Sequence, residues 1–287
     1  MTVCVVAISS SGKCLVCVAD KALSYGDYMQ WDSDTTKIIP LPEKRGVVMA
    51  SGGEDASRVV NRVIALPGLG QDVSAAIVEL EKAYQACYDE VLEIKFIKQN
   101  GLTRDQYVAA ISGPQINRHI EAIAEDIRRF RLDCDLIVCG HDRDRQPFIL
   151  SVCSPGKVVD LTREGFHAIG SGFEHAVARL LMVEHERNDG VVQTLYDCFD
   201  AKAHAEMAAG VGYAWDAYLV TSRGSVPMDK NMKPIIDQVW AKSNRSPFDK
   251  REEDDLPEPP DDWRKQMHTM AAAMFQQLGI ATKGEVG

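Results

Sequence analysis

The sequence predicts an α+β protein, a four-layer αββα sandwich in which two antiparallel sheets stack between two layers of helices. Two observations support this prediction. Short β-branched and apolar runs alternate with longer helical segments, in the order strands, two helices, strands, two helices, strand. The connections between neighbouring strands are short and turn-rich, which favours hairpins and antiparallel sheets over βαβ crossovers.

The chain opens with two paired strands. Residues 2–9 and 13–20 are β-branched and apolar, and the Ser-Ser-Gly turn between them is typical of a hairpin. A second pair of short strands is predicted at residues 36–40 and 46–50, because a turn-rich segment joins these two apolar runs.

Two helical segments follow. The apolar spacing becomes helical from residue 55, and Asp72 is predicted to cap a long helix with one apolar face. A second helical pattern covers residues 103–130, with a break predicted at Gly113 and Pro114.

Strands return in the second half of the chain. They are predicted at residues 135–139, 148–153, 157–161 and 166–169. Two further helices, at residues 173–186 and 191–209, precede a last strand at residues 215–221. This order completes the two sheets and the second helix layer.

The composition changes beyond Arg223, which predicts a main domain at residues 1–223 and an extension at residues 224–287. Residues 251–262 are charged and proline-rich, as in a solvated linker. Beyond them, large apolar residues from Trp263 to Leu278 recur at helical spacing. This helix could pack against its own chain or against a neighbouring subunit.

Charge and hydropathy exclude two classes of partner. The formal net charge of -10 argues against a nucleic-acid surface, which needs clustered Lys and Arg to contact phosphates. The apolar runs are far shorter than the roughly 20 residues of a membrane span. We therefore expect a cytoplasmic protein, and we expect its eight cysteines to be free thiols.

One cysteine pair has the spacing of a zinc ligand pair. Cys14 and Cys17 are separated by two residues, as in half of a zinc knuckle. In a strand, however, residues three apart point to opposite faces, so both sulfurs cannot reach one ion. No other Cys or His pair has metal-ligand spacing, and the seven histidines are interpreted as structural or surface residues. The sequence predicts no metal and no cofactor.

Five features suggest catalysis when they are taken together. Thr2 directly follows the initiator Met, Asp20 closes the second strand, and Lys37 precedes a short apolar run. A glycine turn lies within residues 49–55, and Ala-Ile-Gly-Ser-Gly occupies residues 168–172. Singly, each has a structural explanation as a strand end, an edge charge or a helix cap.

The chemistry of an N-terminal threonine accounts for these residues. Once Met1 is removed, the α-amine of Thr2, with an ordinary pKa of roughly 7.7 to 8.0, can accept the hydroxyl proton at neutral pH. A nearby Lys37 ammonium would keep that amine unprotonated, and Asp20 would hold the lysine in place. Backbone N–H groups of the Ser51-Gly52-Gly53 turn, those of Ser51 and Gly52 in particular, could stabilise an oxyanion.

This combination resembles the proteasome β-subunit family over roughly residues 2–221, and it is most similar to bacterial members that work with an ATP-driven unfoldase. The resemblance implies an N-terminal nucleophile (Ntn) hydrolase fold and places Ser171 beside the α-amine as a proton relay. In one respect the sequence departs from the family. Many members carry an Asp and a Ser near the last helix-to-strand junction, where this chain has Ala208-Ala-Gly-Val-Gly212.

The sequence therefore predicts a threonine peptidase or amide hydrolase that acts on peptide or protein substrates through an ester acyl-enzyme. The resemblance implies a homo-oligomeric ring or spiral that encloses the sites and a separate ATPase unfoldase as a possible partner. Two alternatives stay open. One is a catalytically silent structural ring subunit, and the other is a small-molecule amidase on the same fold.

Overall fold

The computed structural model describes residues 2–25, 29–32, 36–43, 45–70, 72–113, 117–243 and 260–280. Within these residues the strands are β1 (Cys4–Ser9), β2 (Cys14–Asp20), β3 (Ala22–Tyr25), β4 (Met29–Asp32), β5 (Ile38–Pro40), β6 (Gly46–Gly52), β7 (Cys134–His141), β8 (Pro147–Cys153), β9 (Lys157–Asp160), β10 (Phe166–Ile169), β11 (Trp215–Thr221) and β12 (Gly224–Pro227).

The α-helices of the same residues fall into two groups and a C-terminal pair. They are α1 (Ala56–Ile64), α2 (Val73–Leu92), α3 (Arg104–Ile111), α4 (Arg118–Arg129), α5 (Phe173–Met182), α6 (Val191–Ala205), α7 (Met232–Ser243) and α8 (Trp263–Gln277). Asp72 caps α2 as predicted, because its carboxylate accepts the backbone N–H groups of Ser74 and Ala75.

Ten of these strands form two five-stranded antiparallel sheets. The first sheet has the order β10-β1-β2-β11-β12, and the second has the order β5-β6-β7-β8-β9. Strands β3 and β4 pair with each other as a separate hairpin. In the first sheet Cys4 pairs with Ile169 and with Ala19, so the start of β1 and the ends of β2 and β10 lie side by side.

The two sheets and the helices on their outer faces form four layers, and a cluster of buried side chains fills each of the three spaces between them. One cluster, with Val6 and Ile137, fills the space between the two sheets. Phe199 belongs to the cluster between the first sheet and helices α5 to α8. Leu80 and Phe148 belong to the cluster between the second sheet and helices α1 and α2. The predicted αββα sandwich is therefore confirmed.

Strands β1 and β2 are buried on both faces, which explains their continuous apolar sequences. Within β2, Cys14 packs toward the helices and Cys17 packs between the sheets. The predicted strand geometry, with these two sulfurs on opposite faces, is confirmed. Cys17 Sγ instead lies 3.6 Å from Cys139 Sγ, and all eight cysteines are free.

The C-terminal helix packs against its own chain. Met267, Ala271 and Phe275 of α8 are buried in the cluster that also contains residues of α6 and α7. Packing against its own chain is one of the two possibilities that the sequence left open for the stripe beginning at Trp263. The boundary at Arg223 stays a prediction, although β12 continues the first sheet beyond it; most of the 251–262 linker lies outside the described residues.

Several element boundaries differ from the sequence prediction. Helix α5 ends at Met182 rather than at residue 186, because the chain turns there and Glu184 takes a positive φ of 53°. Helix α6 ends at Ala205 rather than at residue 209, where a series of short turns begins. Helix α7, the β3–β4 hairpin and β12 were not predicted. The break predicted at residues 113–114 lies between α3 and α4, and Pro114 is outside the described residues.

Candidate active site

The position of Thr2 follows from the register of β1. This strand pairs antiparallel with β10, where Cys4 faces Ile169, and with β2, where Cys4 faces Ala19. Continuing the first register by two residues places Ser171 opposite Thr2. Thr2 therefore lies between the end of β2 and the turn that follows β10, and it is 3% exposed.

Thr2, Asp20 and Lys37 form one contiguous group. Thr2 Oγ1 donates a hydrogen bond to Asp20 Oδ1 and accepts one from Lys37 Nζ. Lys37 Nζ also lies 2.9 Å from Asp20 Oδ1. The Asp20 side chain is fully buried and that of Lys37 is 12% exposed, so water and salt screen this ion pair only weakly.

Backbone N–H groups determine the orientation of Asp20. Val3 donates to Oδ1 at 2.8 Å, whereas Ala22 and Gly212 donate to Oδ2 at 3.0 and 3.2 Å. The sequence predicted only that Asp20 holds Lys37. Direct contact between the Asp20 carboxylate and the hydroxyl of Thr2 is an additional feature of the structure.

Ser171 lies beside the backbone nitrogen of Thr2, the atom that becomes the α-amine if Met1 is removed. Thr2 N donates to Ser171 Oγ at 3.3 Å. The same hydroxyl lies 3.4 Å from the carbonyl oxygen of Thr2 and 3.3 Å from that of Ala209. Because a serine hydroxyl has one proton, it donates to only one of these carbonyls at a time.

Gly170 makes this close approach possible. Its φ is +97°, in the left-handed region that side chains disfavour. A Cβ at this position would lie 2.2 Å from the carbonyl oxygen of Thr2. The glycine preceding Ser171 is therefore required sterically if the β10–α5 turn is to pass over Thr2.

The predicted oxyanion donors lie at the end of β6. Ser51 and Gly52 are the last two residues of this strand, and Gly52 has a φ of +131°. The N–H of Gly53 donates to the carbonyl of Asp133 at 3.1 Å, so this third donor of the turn is already engaged. Ser51 and Gly52 as oxyanion donors stay a prediction.

Cys4 is a second nucleophilic group close to the site. Its Sγ lies 3.8 Å from the carbonyl oxygen of Ala50, so the start of β1 adjoins the end of β6. Burial raises the pKa of the Cys4 thiol to about 12, although the Lys37 ammonium acts in the opposite direction. Since the thiolate is the nucleophilic form, this raised pKa disfavours Cys4 as a nucleophile.

A cavity of about 210 Å³ opens beside Lys37, and small or aliphatic side chains form most of its wall. The residues around it are Lys37, Ile39, Ala50, Ala56, Ser57, Val60 and Asn61. A larger cavity, of about 350 Å³, lies where α6 meets α7 and α8 and contains none of the predicted site residues. The smaller cavity is the relevant one, because the group that contacts Thr2 lines it.

The connection between α6 and β11, residues 206–214, also reaches the site. It is called the α6–β11 loop below. Gly212 N–H bonds to Asp20, and the carbonyl of Ala209 accepts from Ser171. This stretch contains no Asp or Ser, and it approaches the site through backbone groups. Sequence reasoning missed these groups, since only the glycine-rich composition indicates a loop able to approach closely.

His185, Asp189 and Asp197 form the one group that could hold a metal ion within the described residues. His185 Nε2 lies 3.1 Å from the carbonyl oxygen of Ile8, and Nδ1 lies 3.2 Å from Asp197 Oδ2. Burial acts to lower the pKa of His185, but the bonds to Asp197 and Ile8 outweigh it and raise the pKa. A protonated ring offers no lone pair, so this geometry favours an imidazolium–aspartate ion pair over a metal site.

No helix among the residues that the structure describes is both long and apolar enough to cross a membrane.

Comparison with known proteins identifies the fold of this chain. No protein-family model and no curated protein matches the sequence. The structure is similar to Anbu (ancestral beta-subunit) from Yersinia bercovieri, with a TM-score of 0.55 and 13% identity over 84% of this chain and 94% of that chain. Eukaryotic HslV from Trypanosoma brucei overlaps 76% of this chain and 99% of that chain, with a TM-score of 0.48 and 17% identity. Together with the two stacked five-stranded sheets, the similarity to Anbu shows that this chain has the fold of the proteasome-like Ntn hydrolases.

Proposed function

We propose that this protein is an N-terminal threonine hydrolase, a peptidase or amide hydrolase in which Thr2 becomes the first residue after removal of Met1. One observation carries the proposal. The hydroxyl of Thr2 contacts both the Lys37 ammonium and the Asp20 carboxylate, and Ser171 lies beside the nitrogen of Thr2. In this proposal Thr2 is the nucleophile, Lys37 is the cation and Ser171 is the proton relay, so the chemistry needs no histidine.

The proposed reaction proceeds through an ester. The α-amine of Thr2 accepts the hydroxyl proton as Oγ1 attacks the carbonyl carbon of the substrate amide. The tetrahedral intermediate then collapses, the C–N bond breaks, and the departing nitrogen takes the proton from the α-ammonium. Water next attacks the ester with the amine as base, which releases the acid and restores the hydroxyl of Thr2.

The surrounding residues have separate tasks in this scheme. Lys37 disfavours protonation of the α-amine and stabilises the developing alkoxide, because a like charge nearby opposes the ammonium form. Asp20 fixes Lys37, and Ser171 relays the proton at the α-amine. Backbone donors at Ser51 and Gly52 would stabilise the oxyanion, at about 3 to 4 kcal/mol per donor.

The cavity beside Lys37 supports a preference for a small or medium apolar substrate side chain. Its volume of about 210 Å³ and its lining of alanine, valine and isoleucine suit such a group. Ser57 and Asn61 lie at its exposed side and offer polar contacts. A substrate seated there would have its reacting carbonyl near the hydroxyl of Thr2.

Intact mass and active-site labelling test this proposal. We expect the purified chain to lack Met1 and an epoxyketone to form one adduct with Thr2, whereas Thr2→Ala forms none and turns over no peptide. Thr2→Ser, which keeps a hydroxyl and an α-amine, should retain part of the activity. A chain that keeps Met1 and is never labelled would be a silent structural subunit. Labelling without peptide turnover would indicate a small-molecule amidase.

We further propose that the protein is a cytoplasmic homo-oligomer, a ring or spiral that encloses the sites and receives substrates from a separate ATPase unfoldase. The reason is that an accessible N-terminal threonine hydrolase would endanger other proteins. The apolar face of α8 lends no support, since its own chain covers Met267 and Phe275. Light scattering of the wild-type chain tests the proposal, and a monomer at all concentrations would contradict it.

A further inference from the structure

The α6–β11 loop contacts the candidate site through its backbone. The N–H of Gly212 lies 3.2 Å from Asp20 Oδ2, and the carbonyl oxygen of Ala209 lies 3.3 Å from Ser171 Oγ. Residues 208–212 are Ala-Ala-Gly-Val-Gly, so no polar side chain of this stretch can hold the two groups in place. The position of the loop as a whole must determine where they lie.

A buried ammonium joins the two ends of this loop. Lys202, in the last turn of α6, is fully buried, and its Nζ lies 2.6 Å from Glu206 Oε1 and 2.6 Å from the carbonyl oxygen of Tyr213. Glu206 begins the loop and Tyr213 lies next to its last residue. A buried charge is costly unless it is paired and hydrogen-bonded, so loop conformations that keep both acceptors on the ammonium are favoured.

We propose that Lys202 and Glu206 are positioning residues that hold the α6–β11 loop so that Gly212 orients Asp20 and Ala209 orients Ser171. This inference rests on the proposed function. Lys202 acts through the loop, since its hydrogen bonds reach the loop's two ends, and it is therefore not a catalytic residue.

The two backbone contacts have distinct consequences for the reaction. With Gly212 N–H on Oδ2, the other carboxylate oxygen of Asp20 faces Thr2 and Lys37. With the Ser171 proton on the carbonyl of Ala209, a lone pair of Ser171 Oγ is free to accept from the nitrogen of Thr2. A displaced loop would leave both groups present but poorly aligned.

Lys202→Met tests the inference, because it removes the ammonium and keeps a long apolar side chain. We expect kcat to fall by about 100-fold while KM changes by less than about twofold, since alignment is lost and the substrate cavity is not. Glu206→Gln keeps an acceptor and should lose about 10-fold in kcat. Circular dichroism and thermal unfolding establish that each variant is folded.

Lys233→Met is the matched control. Lys233 Nζ also bridges a backbone carbonyl and a carboxylate, those of Trp215 and Asp216, at 2.5 and 2.6 Å. It belongs to α7, and both of these acceptors lie in β11 rather than in the α6–β11 loop. We expect kcat within about twofold of wild type, because lysine loss alone does not move the loop. An equal loss of kcat in this control would overturn the positioning role.

Hydrogen exchange at the Gly212 amide gives a readout that does not depend on turnover. We expect protection in the wild type and faster exchange in Lys202→Met and in Glu206→Gln, so the second variant carries the test if the first does not fold. Normal kcat or a protected amide in a folded variant overturns the inference and leaves the hydrolase in place. A different outcome would separate the two proposals. If the wild type is never labelled at Thr2 but the variants lose protection at the Gly212 amide, the proposed function is overturned and the positioning of the loop is kept.

Discussion

The two helix layers of the sandwich bury different kinds of side chain. Helices α1 and α2, on the second sheet, bury apolar and aromatic residues such as Leu80. Helix α6, on the first sheet, also buries Thr194, Asp197, Asp200 and Lys202. This polar layer lies behind β1, β2 and β10, whose ends carry the candidate site. We infer that one layer chiefly supplies stability and that the other also supplies orientation, because paired buried charges constrain geometry.

Loss of Lys37 should have the largest effect, because this residue, which precedes β5 of the second sheet, brings a cation to Thr2 and Asp20 of the first. We expect Lys37→Ala to lower kcat by at least about 10³-fold, nearly as much as Thr2→Ala, since the amine and hydroxyl lose the neighbouring cation. Asp20→Asn should also lower kcat, but by a smaller factor. Turnover of a fluorogenic peptide measures both, and wild-type rates in both variants would show that the site is wrongly assigned.

Leu80→Ala tests the apolar layer. Leu80 is fully buried in the cluster around α2, and its truncation leaves a cavity. We expect the free energy of unfolding to fall by about 3 kcal/mol, whereas kcat of the folded protein stays within about twofold. Urea denaturation and peptide turnover provide the two measurements. A large loss of kcat without loss of stability would contradict the division between the layers.

His185→Gln tests the polar layer through its pH dependence. The folded state raises the pKa of His185, so its ion pairs stabilise the fold fully below the ordinary pKa near 6.5, and this stabilisation is lost as pH rises through the folded value. We expect the variant to be about 2 kcal/mol less stable than wild type at pH 5.5 and the gap to narrow above neutrality. Thermal unfolding between pH 5.5 and 9 measures the gap. A constant gap would rule out a protonated His185.

Ser57→Leu should have the smallest effect on activity. Ser57 belongs to α1 and lines the cavity proposed to bind a substrate side chain. The added side chain would occupy part of the cavity beside Lys37. We expect kcat/KM for peptides with large side chains to fall by about 10-fold relative to those with alanine, because steric exclusion affects binding rather than chemistry. A panel of fluorogenic peptides measures this ratio. An unchanged ratio would separate the cavity from substrate recognition.

Much of the fold could be predicted from the sequence because the central strands are buried on both faces. Such strands are continuous apolar runs, and the predicted runs at residues 2–9 and 13–20 contain β1 and β2. The predicted bounds of the less buried β10 and β11 also match those of the structure. The bounds of α5 and α6 were too long, since periodicity does not reveal a turn such as that at Glu184. Helix α7 was missed because residues beyond Arg223 were interpreted as an extension.

The candidate site was predictable only in part. Thr2, Asp20, Lys37 and Ser171 each carry a distinctive side chain at or near a strand end. The antiparallel registers bring the start of β1 and the ends of β2 and β10 together, and Lys37 reaches Thr2 from the second sheet. The support from the α6–β11 loop comes from backbone N–H and C=O groups. Every residue except proline has both, so the sequence contains no signal for them beyond the glycine-rich composition of the loop. The roles assigned to these residues stay predictions.

The distribution of the cysteines makes the wild-type protein suited to single-site labelling. All eight cysteines lie in described residues, seven are buried, and Cys153 at the end of β8 is exposed. Burial raises the pKa of buried thiols such as Cys134 and Cys198, which slows their alkylation. A maleimide fluorophore would therefore report from one position of the second sheet, and energy transfer between labelled copies could follow subunit association without any engineered cysteine.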